Sequence, residues 1–200
     1  MHNNLLKIQR AYLKELFNQL PPDLELSLPA KREENDFSFN AFGEPCIISP
    51  SGITIGEHAA TGHRGILIAL YARNARRETV QFEPYRSFKQ IKGSMPYQGA
   101  FEQRAQESLV PYVSAIQRCA QEIITSFDGR ENRDTSGDFS FILCPLPKIP
   151  LCYTFYVADE EFPASVTCLF AANAELFMPV DGLADVAEHT AATIIQLATS

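Results

Sequence analysis

Three consecutive carboxylates, Asp159, Glu160 and Glu161, lie between an apolar run and a proline in "VADEEFPASVTCLF". Side chains on an extended backbone alternate, so Asp159 and Glu161 share one face and Glu160 takes the other. A close carboxylate pair is one apparatus of general acid-base catalysis, and it requires burial that raises the pKa of one member. The same residues also read as the end of a strand, with Asp159 and Glu160 solvating the terminus, Phe162 plugging the core and Pro163 stopping strand pairing. A second group is basic: residues 64–92 carry seven Lys and Arg side chains against two acids, Glu78 and Glu83. Within it, Arg73, Arg76 and Arg77 lie near Tyr71 and Tyr85 in sequence, and Arg86 and Lys89 follow, a set able to clamp a small anion. A third group, Glu57, His58 and His63 in "GEHAATGHRG", has residue types that ligate transition metals, but a glycine-bearing surface loop is the preferred reading and no metal is expected there. His189 has Asp185 four residues earlier, a helical spacing that also suits a half-buried histidine with an acidic neighbour.

The rest of the chain supplies no partners that complete a recognisable active site. "GITIG" lacks the glycines and the Lys-Ser/Thr of a phosphate-binding loop, and no Gly-x-Ser-x-Gly elbow occurs. The five cysteines, at 46, 119, 144, 152 and 168, have long irregular gaps, so they read as free thiols packed like small apolar residues. No cysteine-held metal and no cofactor are expected. A net charge of −7 opposes phosphate-dominated nucleic-acid binding. No apolar run reaches the roughly 18 residues needed to span a bilayer, and Lys7, Arg10, Lys14 and Glu15 interrupt the amino-terminal one, so a cytoplasmic protein is expected. Charge is nonetheless unevenly spread, because no Lys or Arg follows Lys148. Two complementary faces within the domain, or a homodimer joined through them, would use that asymmetry.

The elements that must position these groups are legible from periodicity. Leu5, Ile8, Tyr12 and Leu16 predict an amphipathic first helix, followed by a solvated charge run over residues 31–36. "DFSFNAFG" and "PCIISPSGITIG" predict two or three short antiparallel strands, and "GILIALY" reads as a buried helix or a strand. Phe101, Ala105, Leu109, Tyr112, Ile116, Ala120, Ile123 and Phe127 trace one long helix kinked by Pro111, with Gly129 near its end. A polar loop then leads to "DFSFILC" and "LCYTFYVA", two strands joined by the proline-rich "PLPKIP". "SVTCLF" is a further short strand, and Asp181 caps a terminal helix whose buried stripe is Leu183, Val186, Ala187, Thr190, Ile194 and Leu197. With 46% hydrophobic and 20% charged residues, residues 1–200 suit a single domain. Residues 1–36 form a helix and charged linker, and 37–200 an α+β core: a mostly antiparallel sheet packed by the long kinked helix and the C-terminal helix.

The order of the second half resembles a family of bacterial and archaeal proteins known as domain of unknown function 3786. The resemblance rests on residues 137–170, "GDFSFILCPLPKIPLCYTFYVADEEFPASVTCLF", and on the helix in "MPVDGLADVAEHTAATIIQL". It is similar to that family's succession of strand, LP-x-x-P bend, second apolar strand, acid-acid-Glu-Phe-Pro turn and terminal helix opened by P-x-[ED]-x-L. The looser likeness takes in "GILIALY" and so the last 140 residues or so. Members occur largely in anaerobes, and some carry an amino-terminal four-cysteine iron-sulfur domain like that of corrinoid proteins. This chain has no cysteine in its first 36 residues, so that cluster is not carried there. Ala158 stands where the family's turn often has Gly. The resemblance implies a binding or accessory module serving an anaerobic redox or one-carbon protein partner. The alternative is a small-molecule enzyme using Asp159, Glu160 or Glu161 with Arg86 or Lys89 as an anion clamp.

Overall fold

A computed structural model describes residues 2–133 and 137–200. Residues 134–136, part of the expected polar loop, lie outside the described residues. The amino-terminal helix α1 (His2–Asn18) buries Leu13 and Leu16, and the short α2 (Leu24–Ser27) buries Leu24. The charged run beyond them is itself a strand, β1 (Lys31–Glu33), with all three side chains exposed. It pairs with β2 (Asp36–Ala41), and β3 (Glu44–Ser49), β4 (Gly52–Ile55) and β5 (His58–Ala59) continue an antiparallel meander in that order. Alternation decides the faces: Phe37, Phe39 and Ala41 point inward, as do Cys46, Ile48, Ile53 and Ile55. Phe42 and Gly43, both at positive φ, make the turn between β2 and β3. Phe42 is fully buried, and its N–H donates to the Pro145 carbonyl at 2.7 Å. That bond ties the first sheet to the second.

The "GILIALY" segment is helical, within α3 (His63–Arg73), because apolar residues surround it on nearly every side; Leu67, Ile68, Ala69, Tyr71 and Ala72 are all buried. Its Gly65 permits close approach: a β-carbon there would lie 2.0 Å from the Ala60 carbonyl oxygen, which accepts the Gln9 side-chain amide at 2.7 Å.

After the two-residue β6 (Arg86–Ser87), the expected single kinked helix is a chain of helical pieces. These are α4 (Gln98–Phe101), a π-helical turn (Glu102–Gln106), a 3-10 stretch (Glu107–Tyr112), α5 (Val113–Arg118) and α6 (Ala120–Ser126). Pro111, which cannot donate an amide hydrogen, lies within the 3-10 stretch, while winding first departs from α at Glu102, in the π-helical turn before that stretch. The apolar stripe survives these changes, since Phe101, Ala105, Leu109, Ile116, Ile123 and Phe127 all face the core. At the end of α6 it is Asp128 that takes positive φ. Gly129 serves contact instead, because a β-carbon there would meet the Ile142 carbonyl oxygen at 2.5 Å.

The second sheet is antiparallel throughout, in the order β6, β10 (Ser165–Phe170), β9 (Ile149–Tyr156), β8 (Phe139–Leu146), β7 (Arg130–Glu131). β8 and β9 are the buried hairpin expected from "PLPKIP": Phe139 pairs with Phe155 and Leu143 with Leu151, and the register shifts before Leu146 meets Ile149. Pro145, without an N–H, sits in that irregular stretch. The terminal α7 (Val180–Thr199) buries Leu183, Val186, Ala187, Thr190 and Ile194. Pro179 occupies its cap position, so Asp181 is in the first turn, where a carboxylate still favours the positive end of the helix dipole. Two antiparallel sheets with helices give the α+β class, with two sheets where one was expected. Among the described residues no helix is long and apolar enough to cross a membrane.

Candidate functional site

The acidic triplet lies in the connection from β9 to β10, and its geometry follows from Asp159. One oxygen of that carboxylate accepts the backbone N–H groups of Glu161 at 2.8 Å and Phe162 at 2.7 Å, while the Asp159 N–H donates to the Phe162 carbonyl at 3.0 Å. Short polar side chains favour such self-closing turns. The two backbone donors, Phe162 first and then Glu161, hold the Asp159 carboxyl below its ordinary range and so ionised. All three acids are exposed. Phe162 does not plug the core: it is 67% exposed, carried outward by the closed turn ahead of Pro163.

The basic segment is dispersed. Arg86 lies opposite Phe170 at one end of β10, whereas Ser165, beside the acidic turn, begins the other. Five strand residues separate them, roughly 17 Å, so the acids and Arg86 do not meet. The Arg86 guanidinium is held instead by Glu175 at 2.7 Å and by the carbonyls of Ala172 at 2.9 Å and Gln90 at 2.6 Å. Arg73 pairs with Glu15 at 3.0 Å and lies over the Tyr12 ring, and Arg77 pairs with Asp23 at 3.0 Å. Arg76 and Lys89 are exposed, and no acid is ion-paired with either among the described residues.

One basic residue escaped the reading of the sequence. Lys148, at the β8–β9 turn, is only 6% exposed; its ammonium donates to the carbonyls of Arg76 and Glu78 and lies 5.5 Å from the Phe177 ring centre. Burial pushes its pKa down. A lone lysine amid the prolines and apolar residues of "PLPKIP" was the available signal.

The histidine group is also split. Glu57 and His58 are exposed at the β4–β5 turn, and His63 opens α3, where its ring stands 6.1 Å from that of His189, nearly perpendicular. Among the described residues, no three His, Cys, Asp or Glu side chains gather to hold a metal. His189 lies between the rings of His63 and Phe42; burial, with Arg64 beside it, pushes its pKa down. Arg64 donates to Thr193 Oγ1 at 2.6 Å and pairs with Glu44 at 3.2 Å, which fastens the start of α3 to α7 and to the first sheet. Burial, then Glu188 and Asp181, pushes the Asp185 carboxyl up.

All five cysteines are free thiols, and Cys46, Cys152 and Cys168 are buried. A cleft of about 500 Å³ runs between α5–α6 and β7–β8, bordered by Arg118, Gln121, Asn132, Phe139 and Ser140. A much smaller one, about 160 Å³, opens where β6 and β10 meet the π-helical turn.

Residues 21–193 match the family described as "Domain of unknown function (DUF3786)", the family resembled by the second half of the chain, and the match extends well toward the amino terminus. No curated protein and no solved structure matches.

Proposed function

Since the chain belongs to the DUF3786 family, whose description assigns no chemistry, we propose that it is a non-catalytic binding or accessory module that docks on a protein partner through the turn at residues 159–163. The observation that supports this is Phe162, a large apolar side chain left 67% exposed on a turn already closed by three hydrogen bonds. An aromatic anchor on a preorganised turn loses little further entropy on binding, which is where affinity is most readily gained. Exposed Glu160 and Glu161 immediately precede it, so the fitting surface is an apolar pocket with Lys or Arg at its rim. The resemblance suggests a cytoplasmic partner from anaerobic redox or one-carbon metabolism. The enzymatic alternative needs the triplet to work beside Arg86 or Lys89, and the length of β10 lies between the triplet and Arg86.

Site-specific photocrosslinking tests the reading. A photoreactive phenylalanine at 162, irradiated in the native cells, should give one discrete protein adduct, and the same probe at exposed Leu26 should not. The adduct should weaken when Glu160 and Glu161 are both changed to Gln. An adduct of twice the chain mass would identify the partner as a second copy. Equal labelling from positions 26 and 162, or none from 162, would refute docking through this turn.

A further inference from the structure

An exposed aromatic side chain preceded by two carboxylates fits an apolar pocket bordered by cations, and the amino-terminal half of the chain contains such a pocket. One face of α1 presents Arg10, Leu13, Lys14 and Phe17, three and four residues apart, toward Pro50 and Ser51 of the β3–β4 turn, and between them lies a cleft of about 430 Å³. Its apolar lining includes buried Leu13 and half-buried Phe17, whose ring stands 6.4 Å from that of Phe37. Arg10 and Lys14 are exposed and one helical turn apart. Neither forms an ion pair among the described residues, and no acid lines the cleft. Small-molecule pockets run from roughly 300 to 1,000 Å³, so a single aromatic side chain has room here.

Contacts elsewhere along α1 hold this wall in place: the Gln9 side-chain amide donates to the Ala60 carbonyl at 2.7 Å, and Glu15 pairs with Arg73 at 3.0 Å. A wall fixed before binding loses little ordering entropy on contact. The adjoining groove, which shares Pro50 and Ser51 with the cleft, holds Glu33, Glu34 and Asp36. Repulsion on that side and attraction at Arg10 and Lys14 orient an incoming acidic segment toward α1.

We propose that the partner of the 159–163 turn is a second copy of this chain, whose α1 cleft takes Phe162 against Leu13, Phe17 and Pro50 while Arg10 and Lys14 meet Glu160 and Glu161. The inference rests on the reading of that turn as a docking element, and charge complementarity names the occupant: two carboxylates precede the aromatic side chain on one copy, and two cations border the apolar cleft on the other. Within one chain Phe162 does not fill the cleft, since it is 67% exposed. Each copy offers both halves of the contact, so docking is reciprocal in a two-fold pair or continues head to tail.

Analytical ultracentrifugation of the full chain, from low micromolar up to about 1 mM to include weak complexes, should show reversible self-association that weakens with added salt. Three variants alter exposed side chains alone: Phe162→Ala, Glu160→Lys with Glu161→Lys, and Arg10→Glu with Lys14→Glu. Each should leave the Tm nearly unchanged and weaken association at least about tenfold. An equimolar mixture of the two charge-reversed chains should associate again, because each acidic turn then meets an unaltered cleft and each basic turn a reversed one. A chain that stays monomeric at about 1 mM, association indifferent to the three variants, or charge-reversed chains that fail to recombine would overturn the proposal. A photocrosslink from position 162 to a different protein would also overturn it while leaving the docking turn in place, whereas no adduct of any kind from 162 would remove the turn as well.

Discussion

Phe155 and Phe162 are seven residues apart, and the same substitution should have opposite consequences at the two. Phe155 is fully buried, lies parallel to Phe139 with ring centres 4.5 Å apart, and has Phe141 at 5.0 Å and Tyr153 at 6.1 Å. Truncating a buried phenylalanine to alanine costs about 3–5 kcal/mol, and each lost aromatic pair adds about 0.5–1.5 kcal/mol beyond its area. The strand has little freedom to collapse into the gap, because the Phe155 carbonyl accepts the Asp138 N–H at 2.9 Å and its backbone pairs with both neighbours. Phe155→Ala should therefore fall at the upper end of the range, about 4–5 kcal/mol. For a chain of this size that corresponds to a fall in Tm of roughly 10–20 °C. Phe162→Ala removes a side chain that is 67% exposed and should stay within about 0.5 kcal/mol. Urea unfolding followed by circular dichroism gives both values, provided that the m-value is unchanged. A cost under about 1 kcal/mol at Phe155, or equal costs at the two positions, would refute this account of the core.

Gly65→Ala should destabilise by about 1–3 kcal/mol, since the added carbon meets a backbone carbonyl that cannot swing away; a neutral result in thermal melts would contradict the close contact of α1, Ala60 and α3. His189 titrates lower in the folded chain than in the unfolded one, so as pH falls below about 6.5 the unfolded state takes its proton first and stability drops until the folded pKa is passed. Urea midpoints measured across that window should flatten in His189→Gln, and an unaltered slope would count against the assignment. Asp185 has the opposite sign: its raised folded pKa means that stability is lost as pH rises through that value, so Asp185→Asn should raise the Tm near neutrality and bring no gain below about pH 4. Alkylation at mildly alkaline pH should reach half-buried Cys119 first, and Cys46, whose thiol burial pushes up to about 12, only on unfolding; early labelling of Cys46 would show that the first sheet opens readily.

Period and punctuation carried much of this protein into view. Alternation in "DFSFNAFG" and "DFSFILC" assigned strands and their inner faces, because a side-chain period of two is a local property of extended backbone. The apolar stripe from Phe101 to Phe127 foretold a helical path for the same reason, and it held although the winding changes from α to π to 3-10 along it. Acid and aromatic residue types at 159–162 were legible as a turn. Whether Phe162 faced inward was not, since a residue leaving a strand has no period left to follow, and the two hydrogen bonds to Asp159 aim it. Tertiary structure alone decided which charges meet. Arg86 finds Glu175 rather than Glu161 because β10 runs between them, and Lys148 is buried because the carbonyls of Arg76 and Glu78 lie beyond the hairpin. Coulombic pairing depends on distance through space, and in a folded chain that distance is set by strand order and packing, which no local pattern encodes.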